Sequence, residues 1–331
     1  MARDAANWRF DASGGTCANA PTRSRPACTI RRPNRCCADT RPRHDGFPCT
    51  GAKCIKAAGD LAPGMSNETN HVVLIPSYNT GSRLFDTIAA VRQCGLPVMV
   101  VIDGSSDESA ENLVRLAADD PALVACVLRH NQGKGAAILH GLNVAGTQGF
   151  THALTMDADG QHSTAHIGTL IALSLAHPDC MILGRPLFDA SAPRVRIFGH
   201  KIANFCTAML TPRGAIDDSL FGFRVYPISP LIEAFASSTG MRRFDFDSEA
   251  AIRLSWQGVR SINVNTPVHY FRRDEGGVSH FKYLRDNLLL TAMYCRLSAE
   301  LLLRKVARSR GSWRRQSVGT GQYQSVRSSR R

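Results

Sequence analysis

The sequence predicts an α/β protein built on a doubly wound, mostly parallel sheet. Short aliphatic runs alternate with segments of helical spacing from residue 71 to residue 183. A β-α-β order of this kind places consecutive strands in parallel, with right-handed crossover helices on both faces of the sheet. The composition agrees, because 44% hydrophobic and 20% charged residues are typical of a globular protein with a sizeable core.

The strands are predicted from aliphatic runs that are typical of strands buried between two helix layers. Valine is the commonest residue in the first two runs, and Pro76 ends the first of them. The predicted strands span residues 71–75, 98–102, 123–128, 153–156 and 181–183.

The helices are predicted from apolar residues at helical spacing. Ser82 is expected to cap the first helix and Gly95 to end it. Ser105 and Glu108 are expected to form a capping box that opens the second helix, which stops before Pro121. The predicted helices span residues 82–94, 105–119, 135–145, 164–176 and 250–256.

The positive charge of the chain belongs to its two ends. Forty Lys and Arg against 27 Asp and Glu give a formal net charge of +13. Residues 1–64 carry +6 and residues 304–331 carry +9, so the segment between them has a charge of −2. A basic protein is expected to bind nucleic acid or an anionic membrane surface, but here that expectation applies to the ends alone.

Both ends are predicted to lie outside the folded domain. Residues 1–64 contain no Val, one Leu and two Ile, too few aliphatic side chains to offset the entropy of ordering the chain. We therefore expect a disordered extension, or a mis-annotated start with translation beginning at Met65. Residues 286–303 are predicted to form an amphipathic helix, and residues 304–331 a basic disordered tail.

Localisation is predicted from the apolar segments. The sequence contains no run of about 18 uncharged apolar residues, so no membrane-spanning helix is expected. The first residues lack the apolar core of a secretory signal. We expect a cytoplasmic protein, peripheral on the inner face of the cytoplasmic membrane where residues 286–331 meet anionic lipid.

Polar loops follow the predicted strands, and the carboxyl ends of parallel strands meet at one edge of such a sheet. Asp157 and Asp159 come directly after a buried strand, and two carboxylates so close repel each other unless a cation lies between them. Gln161 adds a neutral oxygen, and His162 is a further candidate ligand. The pattern predicts Mg²⁺ or Mn²⁺, with a substrate diphosphate completing the coordination shell.

Lys134 lies between two glycines at the start of a predicted helix. Helix N-terminal amides and an ammonium group favour anions, so a phosphate contact is expected here. The G-x-x-x-x-G-K-[ST] loop of P-loop NTPases is absent. No G-x-G-x-x-G follows the first strand, which argues against a nicotinamide dehydrogenase.

Carboxylates among phenylalanines in residues 217–224 and 244–249 are candidates for a raised pKa and general-base work. Asp247 is expected instead to cap the helix that follows it.

Seven motifs follow one another along residues 71–285. They are I-P-S-Y-N (75–79), I-D-G-S-S-D (102–107), N-Q-G-K-G-A-A (131–137), M-D-A-D-G-Q-H (156–162), G-R-P (184–186), D-S-L-F-G-F-R (218–224) and D-F-D-S-E (245–249). In this order they resemble a family 2 glycosyltransferase of the GT-A fold, in the dolichol-phosphate-mannose-synthase-like branch. The resemblance covers about two-thirds of the chain and implies a catalytic domain over residues 65–285. G-F-R-V-Y-P (222–227) and G-V-S-H-F (277–281) are similar to bacterial members found with aryl-polyene lipid pathways.

The resemblance implies which residues bind a nucleotide sugar. The implied residues are Pro76, Tyr78, Asn79, Asp103, Lys134, Asp157 and Arg185. Tyr78 and Asp103 would hold the nucleotide base and ribose, and Lys134 and Arg185 would face the diphosphate. The metal ligands implied by position are Asp157, Asp159 and Gln161.

The resemblance also implies the reaction. Asp218 matches the carboxylate proposed as base in this branch, with Glu249 in the acceptor region. The expected activity is the metal-dependent transfer of a sugar, with inversion, from a nucleotide diphosphate to a lipid-linked or other hydroxyl or phosphate acceptor. The chain departs from the family at Ile102, where a second acid is frequent, and at Thr80, where Glu is frequent. Both positions belong to the nucleotide-base pocket, so the nucleotide is left open.

Two other functions are considered. A sugar-nucleotide nucleotidyltransferase would have a similar sheet and metal chemistry, but with a G-x-G-x-R-type loop where this chain has residues 76–79. A nucleic-acid-binding protein would act through the basic ends, where residues 304–331 offer only Trp313 and Tyr323 for stacking on bases. We expect no nucleic-acid partner.

Overall fold

The structure, a computed structural model, describes residues 53–55, 70–188, 194–268 and 283–319. Side chains are described throughout these ranges except at residues 53–55, 283–284 and 308–319. All of these residues lie in one unit of the chain, Gly46–Arg331.

A single sheet forms the centre of the described fold. In chain order its strands are β1 (Lys53–Ile55), β2 (His71–Ser77), β3 (Val98–Asp103), β4 (Leu123–Leu128), β5 (His152–Thr155), β6 (Cys180–Leu187), β7 (Arg224–Pro227) and β8 (Arg260–Pro267). Across the sheet the order is β1-β4-β3-β2-β5-β7-β6-β8. Within this sheet β1 and β7 run antiparallel to their neighbours, and the other strands share one direction. The predicted mostly parallel sheet is therefore confirmed.

Helices connect the strands and cover the sheet. They are α1 (Arg83–Arg92), α2 (Ser109–Asp119), α3 (Lys134–Thr147), α4 (Ile167–Ala176), α5 (Arg194–Leu210), α6 (Ile228–Ala236), α7 (Phe246–Gln257) and α8 (Tyr283–Gly319), with a single 3₁₀ turn at Thr164–His166 before α4. Alternate strand residues point to opposite faces of the sheet. Leu74 and Val101 therefore pack with α3, α6 and α7, whereas Val73 and Val100 pack with α1, α2 and α4. Helices on both faces make the fold doubly wound, as predicted.

The start of α2 differs from the prediction. The helix begins at Ser109, and Oδ1 of Asp107 accepts hydrogen bonds from the Ser109 amide, at 3.2 Å, and from its hydroxyl. The predicted capping box of Ser105 and Glu108 is wrong, because the Ser105 hydroxyl accepts a hydrogen bond from the amide of Asn79 instead. Ser105 thus connects two loops of the sheet edge.

Five of the described elements were not predicted: β1, α5, β7, α6 and β8. β7 is only four residues long and continues directly into α6, so its pattern carries no separate strand period. β8 alternates polar and apolar residues at the edge of the sheet, where one side faces solvent.

Both ends of the described chain contain more regular secondary structure than predicted. Residues 53–55 pair antiparallel with β4, so the prediction of a disordered extension over residues 1–64 is wrong for this strand. Helix α8 continues to Gly319, and residues 304–319 are therefore helical rather than disordered. At the start of this segment Arg304 pairs with Glu300 at 2.8 Å and lies over the ring of Trp256, and both contacts hold the helix to the fold there. The other residues of the two ends, and the motif at 277–281, lie outside the described residues.

Candidate active site

The loops after β2 and β3 are joined by Asn79. Its backbone has a positive φ of 47°, and its side-chain oxygen accepts a hydrogen bond from the Ser106 amide at 2.8 Å. Its own amide donates to the Ser105 hydroxyl at 2.9 Å. Pro76, the sixth residue of β2, and Tyr78 are half-buried on either side of Ser77. Asn79 therefore connects the loops after β2 and β3 through its hydrogen bonds.

Asp103 is the last residue of β3 and is buried. Its two carboxylate oxygens accept hydrogen bonds from the amides of Gln132, at 2.8 Å, and Gly133, at 2.7 Å. Burial raises the pKa of Asp103, and these amides offset part of the rise. Gly104 makes the approach possible, because a Cβ there would lie 2.4 Å from the Asn131 amide nitrogen. Asp103 thus fixes the loop that leads to Lys134, in addition to its predicted contact with the nucleotide.

The turn after β5, residues 157–161, is called the acidic turn here because it contains Asp157 and Asp159. His162 supports this turn from its buried side. Nδ1 of His162 accepts a hydrogen bond from the Asp157 amide at 3.1 Å, and its Nε2 lies 3.7 Å from Oδ2 of the same residue. The imidazole is buried against the rings of Phe221 and Phe223, and burial lowers its pKa to about 4. His162 therefore supports the turn rather than facing outward as a metal ligand.

The two carboxylates of the turn have opposite electrostatic environments. Burial would raise the pKa of Asp157, but Lys134 and His162 lower it to about 2. Burial and the negative charge of Asp157 raise the pKa of Asp159 to about 6. Oδ1 of Asp159 accepts a hydrogen bond from the Gln161 amide at 3.0 Å. The turn therefore concentrates negative charge that the surrounding side chains leave partly unbalanced.

These donors fit a hard divalent cation. A cation between the two carboxylates would relieve their mutual repulsion. The side-chain carboxamide of Gln161 supplies a neutral oxygen in the same turn. Within the described residues there is no cluster of three or more His, Cys, Asp and Glu arranged to hold a metal. A cation here would take the rest of its oxygens from water or a substrate, as Mg²⁺ usually does.

Lys134, the first residue of α3, forms ion pairs with the turn after β5 and with helix α7. Its Nζ lies 2.8 Å from Oδ1 of Asp157 and 2.8 Å from Oδ2 of Asp247. Burial would lower the pKa of the ammonium group, but the two carboxylates raise it above its ordinary value. Gly222 lies beside this group, where a Cβ would be 2.6 Å from Nζ. The predicted phosphate-binding lysine is thus present at the acidic turn as a fixed positive charge.

Asp247 was predicted to cap α7, and this is wrong. The residue lies inside the helix at its second position, where its carboxylate is buried and paired with Lys134. Asp245 precedes the helix and accepts hydrogen bonds from the amides of Met241, at 3.0 Å, and Arg243, at 2.8 Å. Oδ1 of Asp247 is buried with no hydrogen-bond partner. Local sequence could not reveal this role, because the partner is 113 residues away.

Asp218 lies in the loop before β7 and is almost fully buried. Oδ1 accepts hydrogen bonds from the amides of Leu220, at 3.0 Å, and Phe221, at 2.8 Å. Oδ2 accepts from Nδ1 of His200, at 2.6 Å, and from Asn204, at 3.2 Å. Burial would raise the pKa of Asp218, but the hydrogen bond from His200 and the other contacts lower it. The carboxylate predicted as the base is thus occupied by four donors, two of them from α5.

Arg185 and Glu249 form ion pairs with residues outside the turn after β5. Arg185, near the end of β6, is half-exposed and pairs with Asp217 at 3.3 Å. Glu249 is completely buried on α7, where it pairs with Arg253 at 2.7 Å and with Arg296 of α8 at 2.5 Å. These contacts give Glu249 a role in packing α8 on α7, which the sequence pattern did not reveal.

The chain is similar in sequence to known glycosyltransferases. The profile of Glycosyl transferase family 2 matches residues 72–214. An undecaprenyl-phosphate 4-deoxy-4-formamido-L-arabinose transferase of Salmonella paratyphi A is 33% identical over 244 residues, which cover 70% of this chain and 68% of that protein. A polyprenol monophosphomannose synthase of Mycolicibacterium smegmatis is 28% identical over 62% of this chain and 78% of that protein.

Solved structures are more distant. The mannosyltransferase PcManGT of Pyrobaculum calidifontis, in complex with GDP-Man and Mn²⁺, is 18% identical with a TM-score of 0.42. The alignment covers 62% of this chain and 58% of that chain, less than two thirds of its length.

The relative of 33% identity is aligned over more than two thirds of both sequences, and the family profile covers the motifs from β2 to the end of α5. The chain is therefore a glycosyltransferase: it belongs to glycosyltransferase family 2, in the dolichol-phosphate-mannose-synthase-like branch, and has the GT-A fold.

Proposed function

We propose that this enzyme transfers a sugar, with inversion, from a nucleotide diphosphate to a lipid-linked acceptor and requires Mg²⁺ or Mn²⁺. The observation that carries the proposal is the acidic turn after β5, where Asp157 and Asp159 lie beside the ammonium group of Lys134. Opposite charges held this close form a site for a diphosphate together with a divalent cation.

The donor would lie along the carboxyl edge of β2, β3 and β5. Tyr78 and Asp103, at the ends of β2 and β3, would contact the base and ribose, with Pro76 and Asn79 shaping that pocket. Lys134 and Arg185 would face the diphosphate, because both are cationic side chains at this edge. The nucleotide itself is left open.

The proposed role of these residues is to stabilise the negative charge that develops on the leaving diphosphate. As the bond between the sugar and the diphosphate breaks, negative charge grows on the leaving oxygens. Lys134 is already oriented by Asp157 and Asp247, so it opposes that charge without reorganising. A bound Mg²⁺ or Mn²⁺ would supply Lewis-acid stabilisation of the same leaving group. Asp159 and Gln161 would hold it together with Asp157.

The acceptor is proposed from relatives and from the surface of the enzyme. The two curated relatives above are named for undecaprenyl phosphate and polyprenol phosphate, both lipid-linked groups. In the described helices, none combines the length and apolar content needed to cross a membrane. Exposed apolar side chains on α5 and α8 would bring the enzyme to a lipid surface, peripheral on the inner face of the cytoplasmic membrane.

Thermal unfolding in the presence of Mn²⁺ and a panel of UDP, GDP, CDP and dTDP tests the donor site. At about 100 times its dissociation constant, the correct nucleotide should stabilise the protein by about 2.7 kcal/mol. Asp159→Ala should lose both this Mn²⁺-dependent stabilisation and metal-dependent turnover, whereas Asp179→Ala, an exposed control, should retain them. Full metal-dependent stabilisation and turnover in Asp159→Ala would contradict the assignment.

A further inference from the structure

Two positive groups compete for the carboxylate of Asp157. This carboxylate is a proposed ligand of the divalent cation, and its Oδ1 also lies 2.8 Å from Nζ of Lys134. A cation and an ammonium group repel each other, so they cannot both hold the same oxygen at close range. The Asp157 side chain is 36% exposed and that of Lys134 only 13%, so a cation from solvent reaches the carboxylate more easily than the ammonium group.

Lys134 has a second carboxylate partner that is much less accessible. Oδ2 of Asp247 lies 2.8 Å from Nζ of Lys134, and the Asp247 side chain is 5% exposed. Among the residues that the structure describes, the buried Oδ1 of Asp247 has no hydrogen-bond partner. Loss of the ammonium group would leave this buried charge uncompensated, which is costly. The pair of Lys134 and Asp247 is therefore the one that persists when Asp157 takes another partner.

The position of Asp247 is fixed by the fold. Its backbone carbonyl accepts a hydrogen bond from the buried guanidinium group of Arg224 at 2.5 Å, and the same group donates to the Asp218 carbonyl at 3.0 Å. Arg224 begins β7, whereas Asp247 lies in the first turn of α7. The backbone at Gly222 approaches the ammonium group closely, because a Cβ there would be 2.6 Å from Nζ of Lys134. Asp247 thus holds the ammonium group from a carboxylate that has little room to move.

Lys134 can exchange one partner while it keeps the other. An ammonium group has three N–H donors, so a bond to Asp247 leaves two for other oxygens. When Asp157 turns to a cation, diphosphate oxygens can accept these two donors in charge-assisted hydrogen bonds. The negative charge of the diphosphate then replaces that of Asp157, and Nζ stays in place.

We propose that Asp247 is a positioning residue that holds Lys134 in place while Asp157 exchanges the ammonium group for the divalent cation. The proposal rests on the proposed function. If Asp247 were neutral, release of Asp157 would leave the buried ammonium group without either of its two carboxylate partners, so this release would cost more free energy. A bound diphosphate would lower that cost. The cation and the diphosphate therefore strengthen each other's binding, because such a coupling is reciprocal.

Titration of the full chain with Mn²⁺ alone tests this role directly. Asp247→Asn keeps the size of the side chain and removes its charge. It should bind Mn²⁺ roughly 10- to 100-fold more weakly than wild type, the equivalent of one hydrogen bond to a charged group. Asp179→Asn, which changes an exposed carboxylate after α4, is the control and should bind Mn²⁺ as wild type does. A wild-type Kd for Mn²⁺ in Asp247→Asn would show that Asp247 does not have this role.

Lys134→Met separates an effect through Lys134 from a direct effect of the Asp247 charge on the cation. This variant lacks the competitor for Asp157 and should bind Mn²⁺ more tightly than wild type. In its background Asp247→Asn should change the Kd no further, because there is no ammonium group to hold. The double variant removes both charges of the buried pair, so it keeps the comparison possible if Asp247→Asn alone proves unfolded in urea titrations. An equal loss of Mn²⁺ affinity on Asp247→Asn with and without Lys134 would overturn the proposal, as would wild-type affinity in Lys134→Met.

Nucleotide distinguishes failure of this role from failure of the proposed function. In the presence of UDP, GDP, CDP or dTDP, the loss of Mn²⁺ affinity in Asp247→Asn should become smaller, because a bound diphosphate supplies Lys134 with negative charge. An excess of Mn²⁺ should then restore the thermal stabilisation by the nucleotide. A loss of the same size with and without nucleotide would contradict the exchange of partners. Wild-type protein that binds neither Mn²⁺ nor any of the four nucleotide diphosphates would instead contradict the proposed function itself.

Discussion

At the scale of single residues, Gly222 determines how closely positive and negative charge approach. A methyl group at this position would lie 2.6 Å from Nζ of Lys134, 3.3 Å from Oδ2 of Asp157 and 3.4 Å from Oδ1 of Asp247. The lysine end is flexible, so the fold can accommodate the methyl group by moving Nζ. The ammonium group would then leave its position between Asp157 and Asp247, from which it would face the diphosphate of the proposed donor.

Gly222→Ala is therefore expected to weaken nucleotide binding while the protein remains folded. A hydrogen bond to a charged group contributes about 1.5–3 kcal/mol, which corresponds to roughly a 10- to 100-fold rise in Kd. Calorimetric titration with the nucleotide identified by thermal unfolding measures it. Gly168→Ala on α4, where a Cβ meets nothing within 4 Å, is the control. A Kd for Gly222→Ala equal to that of wild type would show that Lys134 is not part of the donor site.

The sequence predicted some of these residues and not others for a physical reason. Asp157, Asp159 and Lys134 follow strands or open helices, so local pattern and the topology of a parallel sheet bring them to one edge. Asp247 reaches the same region only through the tertiary packing of α7, because its partner Lys134 is 113 residues away. Asp247 in particular has the local pattern of a helix cap, and only its distant partner Lys134 reveals otherwise.

At the scale of elements, a network of ion pairs joins α7 to α8. Glu249 accepts hydrogen bonds from Arg253, from Arg296 and from the Ser238 hydroxyl. Arg253 also donates to both oxygens of Glu300, at 3.2 and 2.9 Å. Because Glu249 is fully buried and Arg253 nearly so, removal of one carboxylate would leave buried positive charge unbalanced.

Glu249→Gln is expected to destabilise the protein by up to about 3–5 kcal/mol, measured by urea unfolding at pH 7. Glu111→Gln removes an i,i+4 carboxylate from an exposed pair with Arg115 and should cost no more than about 1 kcal/mol. Similar losses of unfolding free energy in Glu249→Gln and Glu111→Gln would contradict the structural role of Glu249. They would favour instead the role in the acceptor region that the family pattern implies.

The same carboxylate predicts a pH dependence. Burial would raise the pKa of Glu249, but hydrogen bonds from Arg296, Ser238 and Arg253 lower it below its ordinary value of 4.5. A group whose pKa is lower in the folded state stabilises the fold above pH 4.5, and this contribution is lost as the pH falls through the folded value. Unfolding measured from pH 7 to pH 3 should therefore show wild type converging on Glu249→Gln at low pH. A constant difference in stability over this range would contradict the interpretation.

Prediction of elements succeeded where the chain alternates regularly. The strands and helices from β2 to β6 follow aliphatic runs and helical spacing, because each of these strands is buried on both sides. Beyond β6 the antiparallel β7, the edge strand β8 and the long α8 break that alternation. The places of β7 and β8 are set by pairing within the sheet rather than by local periodicity, so their residues carry no separate signal. Residues 286–303 of α8 were predicted from their amphipathic pattern, and ion pairs with α7 set the position of this helix.

At the scale of the whole molecule, one face is apolar and exposed. Five side chains at helical spacing on α5 are 51–70% exposed: Val195, Phe198, Ile202, Phe205 and Met209. Helix α8 packs beside α5 through Tyr294, whose hydroxyl donates to the Ala203 carbonyl at 3.0 Å, and exposes further leucines. Arg194, Arg196 and Lys201 are exposed on α5, and α8 extends into the basic end of the chain. An apolar stripe edged by positive charge is complementary to an anionic lipid surface.

Binding to lipid vesicles tests this face of the whole molecule. Full-length protein should co-sediment with vesicles of phosphatidylglycerol and phosphatidylethanolamine, and less so at high salt, because each Lys or Arg near the surface contributes about 1 kcal/mol. The double variant Phe198→Ser and Phe205→Ser should weaken vesicle binding roughly 100-fold or more, since each buried phenylalanine contributes about 1.5–3 kcal/mol. Leu175→Ser, which removes an exposed apolar side chain from α4, is the matched control and should bind as wild type. If the double variant converts a dimer to a monomer without changing vesicle binding, the stripe is covered by a second copy of the chain and the lipid surface is excluded as its partner.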